Sequence, residues 1–392
     1  MDERQFVVAY LDRVIGSEQF REEQDQVIGS IIDLLRSGYS TERVRKKLNL
    51  RKNECLFLTE IAKGRLNSKT KFSRWDRVWL DAYSARYSTP EAIGMHRSDQ
   101  IGRSDVLDVG CGAGMQAIMF ARNSHVIGIE SDPVRGRLAT INSEVYGVNL
   151  RIIRSDYAAV QPNGIKEDTV IFSDPLRGSE AVMDMDKLSP SPRTLISRFS
   201  SFTGRFVLDL PPRMDPGKTG LKGTFEFLSY NHKHSRLTFF SESFYGVGNR
   251  CAILPGGKTY VEGEGSRSRR QTRDRPLYVL VPDESLVRSG IAKTMEWVPE
   301  TSVIWEDDRR LVLGSQYIIH DFPGEAYEVE GTIAGAEFSK YASKSNFRFI
   351  PRFPVGEVHY YRDFPSRPGS ETRYLFKDGN DLIIAKKVAV PQ

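Results

Sequence analysis

The chain has 392 residues, 39% of them hydrophobic and 27% charged, and a formal net charge of +5. This composition is typical of a globular protein, and the length predicts two or three domains. No apolar run approaches the roughly 20 residues that span a bilayer, and the amino terminus lacks the apolar segment of a secretory signal, so we expect no membrane association.

Three cysteines lie far apart in the sequence: Cys55, Cys111 and Cys251. None belongs to a CxxC pair or has a histidine at metal-ligand spacing. This pattern is typical of a reducing compartment, so we expect a cytoplasmic protein without a bound metal. The mildly basic charge permits a nucleic-acid partner and does not require one.

Residues 1–85 have the sequence pattern of a helical domain. In the segment QVIGSIIDLLRSG, apolar residues recur with helical spacing, and Gly38 follows them as a helix end. The segment STERVRKKL predicts a further helix with Ser40 as its N-cap. Four aromatic residues at helical spacing are interpreted as core residues: Phe72, Trp75, Trp79 and Tyr83.

Between residues 86 and 245, strand-like runs alternate with helical stretches, which is the pattern of a parallel sheet covered by helices. The predicted strands are VLDV (106–109), VIGIE (126–130), LRII (150–153), TVIFS (169–173) and RFVLDL (205–210). The segment FEFLSYNHKHSRLTFFSES follows them and predicts an antiparallel hairpin with its turn at NHKHS.

From residue 246 onward the sequence is rich in strand-like runs. The segments VIWEDDRRLVL and YLFKDGNDLIIAKKV each place turn residues between two such runs. We therefore expect an α/β protein with three domains: a helical domain (1–85), an α/β domain (86–245) and a strand-rich α+β domain (246–392).

The first predicted strand runs into a glycine-rich loop. Its pattern is D-x-G-x-G-x-G, from Asp108 through Gly110 and Gly112 to Gly114. A dinucleotide fingerprint has the pattern G-x-G-x-x-G and places a pyrophosphate at a helix N-terminus, where an acidic residue would repel it. The pattern found here instead suits S-adenosylmethionine, which carries an ammonium and a sulfonium group and no phosphate.

Two more carboxylates follow the next predicted strands. Glu130 ends the second strand, where a carboxylate can accept both ribose hydroxyl groups, and Asp156 follows the third, within reach of the adenine amino group. The carboxyl ends of successive parallel strands meet at the ligand-binding edge of an open α/β sheet. We therefore expect a class I (Rossmann-like) methyltransferase domain in which these residues and the glycine loop bind S-adenosylmethionine.

Several segments of residues 87–245 have counterparts, in the same order, in one known family. They are YSTPEAIGMHRSDQI, VIGIESDPVRGRLATINSEVYGV, MDMDKLSPSPRTLI and FVLDLPPRMD. In these segments the chain resembles the trimethylguanosine synthase branch of class I RNA methyltransferases. The resemblance implies a guanine base of RNA as the methyl acceptor.

The carboxy-terminal part resembles a different family. The segment YVLVPDESLVRSGIA (278–292) and the ending VGEVHYYRDF…LFKDGNDLIIAKK are similar to the THUMP-like domain that is fused to methyltransferases of this type in archaea and bacteria. THUMP domains proper are RNA-docking modules. The resemblance therefore implies an RNA substrate, most often tRNA, that docks on residues 246–392.

The chain departs from the family pattern where the fourth predicted strand ends. In the amino-methylating branch, this strand runs into a Pro-Pro-aromatic motif whose oxygens hold an exocyclic amine and whose ring stacks on the target base. Here the sequence is SDPLRG, and Leu176 stands in place of the aromatic residue. We expect Asp174 to act as the catalytic residue, and four further residues to line the base pocket: Pro175, Leu176, Arg177 and Gly178.

Loss of the stacking ring changes the expected acceptor atom. The oxygens of Asp174 can still accept from the amino and N1–H edge of guanine, whereas guanine N7 needs no proton removed before it attacks a methyl group. We therefore expect methylation at N7, with N2 as the second candidate.

An arginine-rich stretch, RSRRQTRDR (267–275), adds candidate phosphate contacts at Arg267, Arg269 and Arg270, with a solvated loop as the equal alternative. Two other functions stay open. The same core occurs in small-molecule and protein methyltransferases, and a catalytically idle RNA-binding protein could retain S-adenosylmethionine as a structural ligand. We expect a monomer that methylates structured RNA.

Overall fold

A computed structural model of the chain describes residues 2–162, 164–176, 184–263, 275–307, 309–355 and 371–390. Contacts divide the chain into two units. The first unit consists of Met1–Phe225 and Leu237–Val247, and the second consists of Glu226–Arg236 and Gly248–Gln392. The predicted division into three domains, 1–85, 86–245 and 246–392, stays a prediction. Within the described ranges, no helix has both the length and the apolar composition needed to cross a membrane.

Helices open the first unit: α1 (Glu3–Gly16), α2 (Glu18–Arg36), α3 (Thr41–Lys47), α4 (Lys52–Ser68), α5 (Ala82–Tyr87) and α6 (Glu91–Ile101). The predicted helix in QVIGSIIDLLRSG is the second half of α2, and Gly38 follows it with φ +80°. Helix α3 begins after Ser40 as predicted, although the Ser40 side chain makes no capping hydrogen bond.

The strands that lie wholly in the first unit are β1 (Val106–Val109), β2 (Val126–Ile129), β3 (Leu150–Ile153), β4 (Val170–Ser173) and β5 (Phe206–Leu210). Two further strands of the same sheet, β6 (Gly223–Tyr230) and β7 (Lys233–Ser241), have residues in both units. They lie in the order β3-β2-β1-β4-β5-β7-β6. The first five of these are parallel, and β7 runs antiparallel to β5. Each of the five predicted parallel strands is found within one residue of its predicted bounds.

The hairpin of β6 and β7 turns at Asn231 and His232, which have φ values of +52° and +60°. Positive φ at both central residues is the geometry of a tight two-residue hairpin turn, and asparagine tolerates it better than most residues. The predicted turn at NHKHS is therefore confirmed.

The remaining helices of the first unit are α7 (Met115–Phe120), α8 (Pro133–Tyr146), α9 (Pro192–Phe199) and α10 (Glu242–Tyr245). Buried apolar residues of the amino-terminal helices, such as Leu11 and Leu58, share one cluster with Ile118 of α7 and Leu138 of α8. One continuous hydrophobic core therefore joins the helical segment to the sheet, and its burial stabilises both.

A buried asparagine of α8 connects three parts of this core. The Asn142 Oδ1 atom accepts from the backbone N–H of Trp79 at 2.7 Å. Its Nδ2 atom donates to the carbonyl oxygens of Trp79 at 3.0 Å and Ala113 at 3.1 Å. The segment that leads to α5 and the loop that leads to α7 are thus both attached to α8.

The second unit contains β8 (Gly248–Leu254), β9 (Lys258–Val261), β10 (Tyr278–Pro282), α11 (Glu284–Arg288), β11 (Ser302–Glu306), β12 (Leu311–Ser315), β13 (Gly324–Ala334), α12 (Phe338–Lys344), β14 (Arg348–Pro351), β15 (Thr372–Asp378) and β16 (Asp381–Val388). Seven of these strands form a sheet in the order β11-β12-β10-β13-β16-β15-β14. The two segments predicted as strand–turn–strand form the pairs β11–β12 and β15–β16.

Asn142 provides a test of this organisation. Substitution Asn142→Ala leaves the N–H and C=O groups of Trp79 and the C=O group of Ala113 buried without this partner. Each such group costs about 1–3 kcal/mol, so we expect the free energy of unfolding to fall by about 3 kcal/mol or more. Urea denaturation and hydrogen exchange at the Trp79 amide measure the effect.

The matched control is Asn149→Ala, which removes an exposed asparagine shortly after the same helix. We expect this variant to unfold at the wild-type urea concentration. An Asn142→Ala variant as stable as this control would show that the asparagine does not hold the two segments.

Candidate active site

The glycine loop between β1 and α7 is tied to the end of β2. The backbone N–H groups of Gly110 and Cys111 donate to the Ile129 carbonyl oxygen at 2.9 and 3.1 Å. Gly110, Gly112 and Gly114 have φ values of +80°, +58° and +84°, a region that glycine adopts without steric cost. The loop therefore needs glycine at all three positions of the predicted motif.

Gly114 has a second reason to lack a side chain. A Cβ atom at this position would lie 2.9 Å from the Cβ atom of Ala139 on α8. Contact at this distance is repulsive, so glycine lets α8 approach the start of α7.

Asp108 is the third residue of β1 and lies in the interior of the protein, with 1% of its surface exposed. Its Oδ2 atom has no hydrogen-bond partner among the described residues. Burial raises the pKa of Asp108 well above its usual range, and the nearby Asp174 and Glu130 carboxylates raise it further, while Arg97 opposes the shift. An unpaired, buried carboxylate oxygen is costly, and a ligand with a positive charge or an N–H donor would stabilise it.

Backbone amides orient the carboxylate of Glu130. Its Oε2 atom accepts from the N–H of Gly112 and its Oε1 atom from the N–H of Asp132, each at 2.8 Å. A carboxylate has about four lone-pair positions, so two remain available for hydroxyl donors. This arrangement suits the two neighbouring hydroxyl groups of a ribose.

Asp156 follows β3 and begins a short 3-10 turn, where its side chain accepts from the Ala158 N–H at 2.8 Å. Its side chain is exposed and also lines the pocket at this end of the sheet, next to Tyr157. The predicted contact of Asp156 with an adenine amino group stays a prediction.

Asp174 follows β4 on the other side of the same pocket. The Thr89 hydroxyl donates to its Oδ2 atom at 3.4 Å. Pro175 is buried, and Leu176 exchanges two backbone hydrogen bonds with Ser189, at 2.9 and 3.2 Å. The Leu176 side chain is 53% exposed, so it presents an aliphatic surface where the family pattern has an aromatic ring.

One pocket brings together seven of the nine predicted site residues that the structure describes: Asp108, Gly110, Gly112, Glu130, Asp156, Asp174 and Leu176. Gly114 and Pro175 are not among its lining residues. Five predicted contacts lie outside the described residues: Arg177, Gly178, Arg267, Arg269 and Arg270.

Cys111 also lines this pocket. Burial raises the pKa of its thiol, and the Asp108 and Glu130 carboxylates add to the shift. The side chain therefore stays a neutral thiol at physiological pH, which favours a packing role over that of a nucleophile.

Two tyrosines in the pocket wall differ from what the sequence predicts. Tyr83 and Tyr87 of α5 line the pocket and are 49% and 56% exposed. The interpretation of Tyr83 as a core residue is therefore wrong, although Phe72 and Trp79 are buried as predicted. Helical spacing does not show which side of a helix is covered. The one indication in the sequence that these tyrosines lie near the site is the position of Tyr87, which is the first residue of the segment YSTPEAIGMHRSDQI that resembles the family.

The family described as RNA cap guanine-N2 methyltransferase matches residues 103–217, less than a third of the chain. Trimethylguanosine synthase of Schizosaccharomyces pombe is 40% identical over 88 residues, which cover 21% of this chain and 36% of that protein. The chain thus spans about a third of the length of this curated relative.

A solved structure is similar over nearly the whole chain. It is a protein of Porphyromonas gingivalis W83 described as a candidate methyltransferase, with a TM-score of 0.75 and 16% identity, and the match covers 94% of this chain and 99% of that one. An identity this low shows a shared fold. The predicted fold class is confirmed: a helical region, a class I methyltransferase core and a strand-rich region.

The predicted cofactor, S-adenosylmethionine, is that of the methyltransferase family matched over residues 103–217. The pocket fits it, because the unpartnered Asp108 oxygen can accept from an ammonium group and the oriented Glu130 carboxylate can accept from ribose hydroxyls. The family match ends at residue 217, so the THUMP-like resemblance of residues 246–392 stays a prediction.

Glu130→Ala tests the ribose contact. Loss of a charged acceptor for two hydroxyl groups costs about 1–3 kcal/mol, so we expect S-adenosylhomocysteine to bind roughly 5- to 150-fold more weakly in calorimetry. We expect wild-type affinity from Glu144→Ala, a partly exposed glutamate of α8 paired with Arg21. Tight NAD binding, or normal affinity of the Glu130 variant, would contradict this assignment.

We expect Asp108→Asn to raise the thermal stability of the protein and to weaken its binding of the cofactor. Because the pKa of Asp108 is raised in the folded protein, folding stability falls as pH rises from the unfolded pKa toward the folded one. At neutral pH we therefore expect the cofactor-free variant to have a higher Tm than the wild type. We also expect it to bind S-adenosylhomocysteine at least about tenfold more weakly, since the charged partner of the ammonium group is lost. A lower Tm with unchanged affinity would contradict both expectations.

Proposed function

We propose that this chain is an S-adenosylmethionine-dependent methyltransferase that methylates a guanine base nitrogen in structured RNA, with tRNA as the substrate class. The observation that carries the proposal is the overlap between sequence and geometry. The family match over residues 103–217 contains Asp108, Glu130, Asp156 and Asp174, and these four carboxylates line one pocket.

In this proposal, different pocket residues bind the cofactor and the base. S-adenosylmethionine supplies an activated methyl group on its sulfonium sulfur. Asp108 holds the ammonium group and Glu130 the ribose of the cofactor, so that the methyl group faces Asp174. Asp174 then accepts from the amino and N1–H edge of the guanine. Holding two reactants in line supplies several kcal/mol of the catalysis of such a transfer, in order of magnitude.

We place the acceptor at guanine N7, with N2 as the second candidate. N7 attacks through a free lone pair and gives a cationic ring, so no proton has to leave. N2 must lose a proton to an acceptor such as the Asp174 carboxylate. Leu176 in place of an aromatic residue supports N7, whereas the description of the matched family names N2.

The substrate class rests on the carboxy-terminal region. Its THUMP-like resemblance and the basic stretch 267–275 support docking of a folded RNA, and the net charge of +5 is compatible with it. In this proposal residues 246–392 dock the RNA and the amino-terminal unit carries out the methyl transfer.

Labelled methyl transfer tests the activity and the atom together. Wild-type protein is incubated with S-adenosylmethionine carrying a labelled methyl group and with total RNA from a strain that lacks this protein. We expect label in the tRNA fraction. Treatment with borohydride and then aniline cleaves RNA at 7-methylguanosine, so the labelled product should be cut there.

Asp174→Ala is the variant for this assay. We expect at least a tenfold lower kcat/KM, because the guanine edge loses its acceptor, and unchanged affinity for S-adenosylhomocysteine. Labelled but uncut RNA would replace N7 by N2. Label confined to ribosomal or capped RNA would overturn the choice of tRNA, and no label in any RNA would overturn the proposal.

A further inference from the structure

Two exposed tyrosine rings stand at the mouth of the pocket. Tyr83 and Tyr87 of α5 have their ring centroids 4.6 Å apart with planes tilted by 46°. Both line the pocket together with Asp174 and Leu176. About half of each side chain is exposed, and such a pair of aromatic residues beside a ligand pocket is typical of a surface that a ligand covers.

The short helix that carries these rings is held at both ends. Asp81 caps its start by accepting from the Ser84 N–H at 2.6 Å. The ammonium group of Lys71 donates to the carbonyl oxygens of Ala85 and Arg86 at its end, at 2.8 and 2.7 Å. Favourable contacts at both ends keep the rings in place before a ligand arrives.

Close packing also positions the segment before this helix. A Cβ atom at Gly64 of α4 would lie 1.7 Å from the Leu80 carbonyl oxygen, so only glycine permits this approach. After the helix, the Thr89 hydroxyl reaches Asp174. The two tyrosines and the candidate base-binding carboxylate are therefore parts of one connected wall.

One arginine lies near each tyrosine ring. The Arg135 guanidinium lies 5.1 Å from the centroid of Tyr83, and the Arg86 guanidinium lies 5.5 Å from that of Tyr87. These cations can interact with the phosphates on either side of an unstacked nucleotide. Aromatic faces also attract a cationic ring such as 7-methylguanine.

We propose that Tyr83 and Tyr87 form the stacking surface for the target base, in place of the aromatic residue that Leu176 replaces. The ligand is an unstacked guanine whose face lies on a tyrosine ring while its edge reaches Asp174. This inference rests on the proposed methylation of an RNA base. It adds a base-binding subsite built from the amino-terminal helices.

Steady-state methylation of total tRNA from a strain lacking the protein tests the subsite. The variants are Tyr83→Ala and Tyr87→Ala, each with its Tyr→Phe counterpart. Phe202→Ala is the matched control, since Phe202 is 37% exposed in the same unit and does not line the pocket. Calorimetry with S-adenosylhomocysteine is run on every variant.

We expect the alanine variants to raise the KM for tRNA by roughly 5- to 150-fold, the range for loss of one stacked base, with unchanged affinity for S-adenosylhomocysteine. The phenylalanine variants should keep the wild-type KM, because stacking needs the ring and not the hydroxyl group. The control should behave as wild type.

Other outcomes distinguish an error in the proposed subsite from an error in the proposed methyltransferase function. If the wild-type protein labels tRNA and the alanine variants do so with the same KM, the subsite is wrong and the methyltransferase function stands. If the alanine variants lose affinity for S-adenosylhomocysteine, the rings are cofactor contacts and the subsite is again wrong. If the wild type labels no RNA, the proposed function is wrong, and the proposed subsite is wrong as well.

Discussion

The arrangement of the site depends on the hydrogen bonds that the Asn142 side-chain amide makes. An amide has one acceptor and two donors, and here all of them join α8 to backbone groups of Trp79 and Ala113. Trp79 belongs to the segment that leads to the two exposed tyrosines, and Ala113 belongs to the glycine loop. The glycine loop and the segment that leads to the tyrosines are therefore both attached to one residue of α8. Buried hydrogen bonds are costly to leave unmade, so this link stabilises the positions of both segments relative to α8.

Carboxylates dominate the electrostatics of the pocket, and each is stabilised differently. Glu130 accepts two backbone N–H groups, and Asp174 accepts from a hydroxyl, whereas Asp108 keeps a buried oxygen without a partner among the described residues. Behind them, Arg97 forms a fully buried ion pair with Asp209 and donates to the Gln116 Oε1 atom at 3.1 Å. A pocket with this charge repels the pyrophosphate of a dinucleotide and attracts an ammonium or sulfonium group. The choice between the two cofactor classes therefore follows from charge as well as from glycine spacing.

The sequence predicts the parts of this structure that depend on local patterns. Runs such as VLDV and LRII are mostly apolar and bounded by polar or turn residues, so their strands are found within a residue of the prediction. The turn at Asn231 follows from residues that tolerate positive φ. The links made by Asn142 and by Arg97 join residues 63 and 112 positions apart, and no local pattern contains them. The exposure of Tyr83 was missed for the same reason, since helical spacing places a residue on a face and tertiary contacts decide whether that face is covered.

The proposed base-binding subsite takes its stacking rings from a different segment than the family that the core resembles. In the family that the core resembles, the strand that holds the edge of the base also supplies its stacking ring. Here Asp174 remains at the strand end, and Leu176 cannot stack. Aromatic rings are instead found on α5, connected to Asp174 through Thr89. Because stacking is sequence-tolerant and needs only a π-face at the right distance, a ring from a different segment can replace the missing one without altering the polar contacts proposed between Asp174 and guanine.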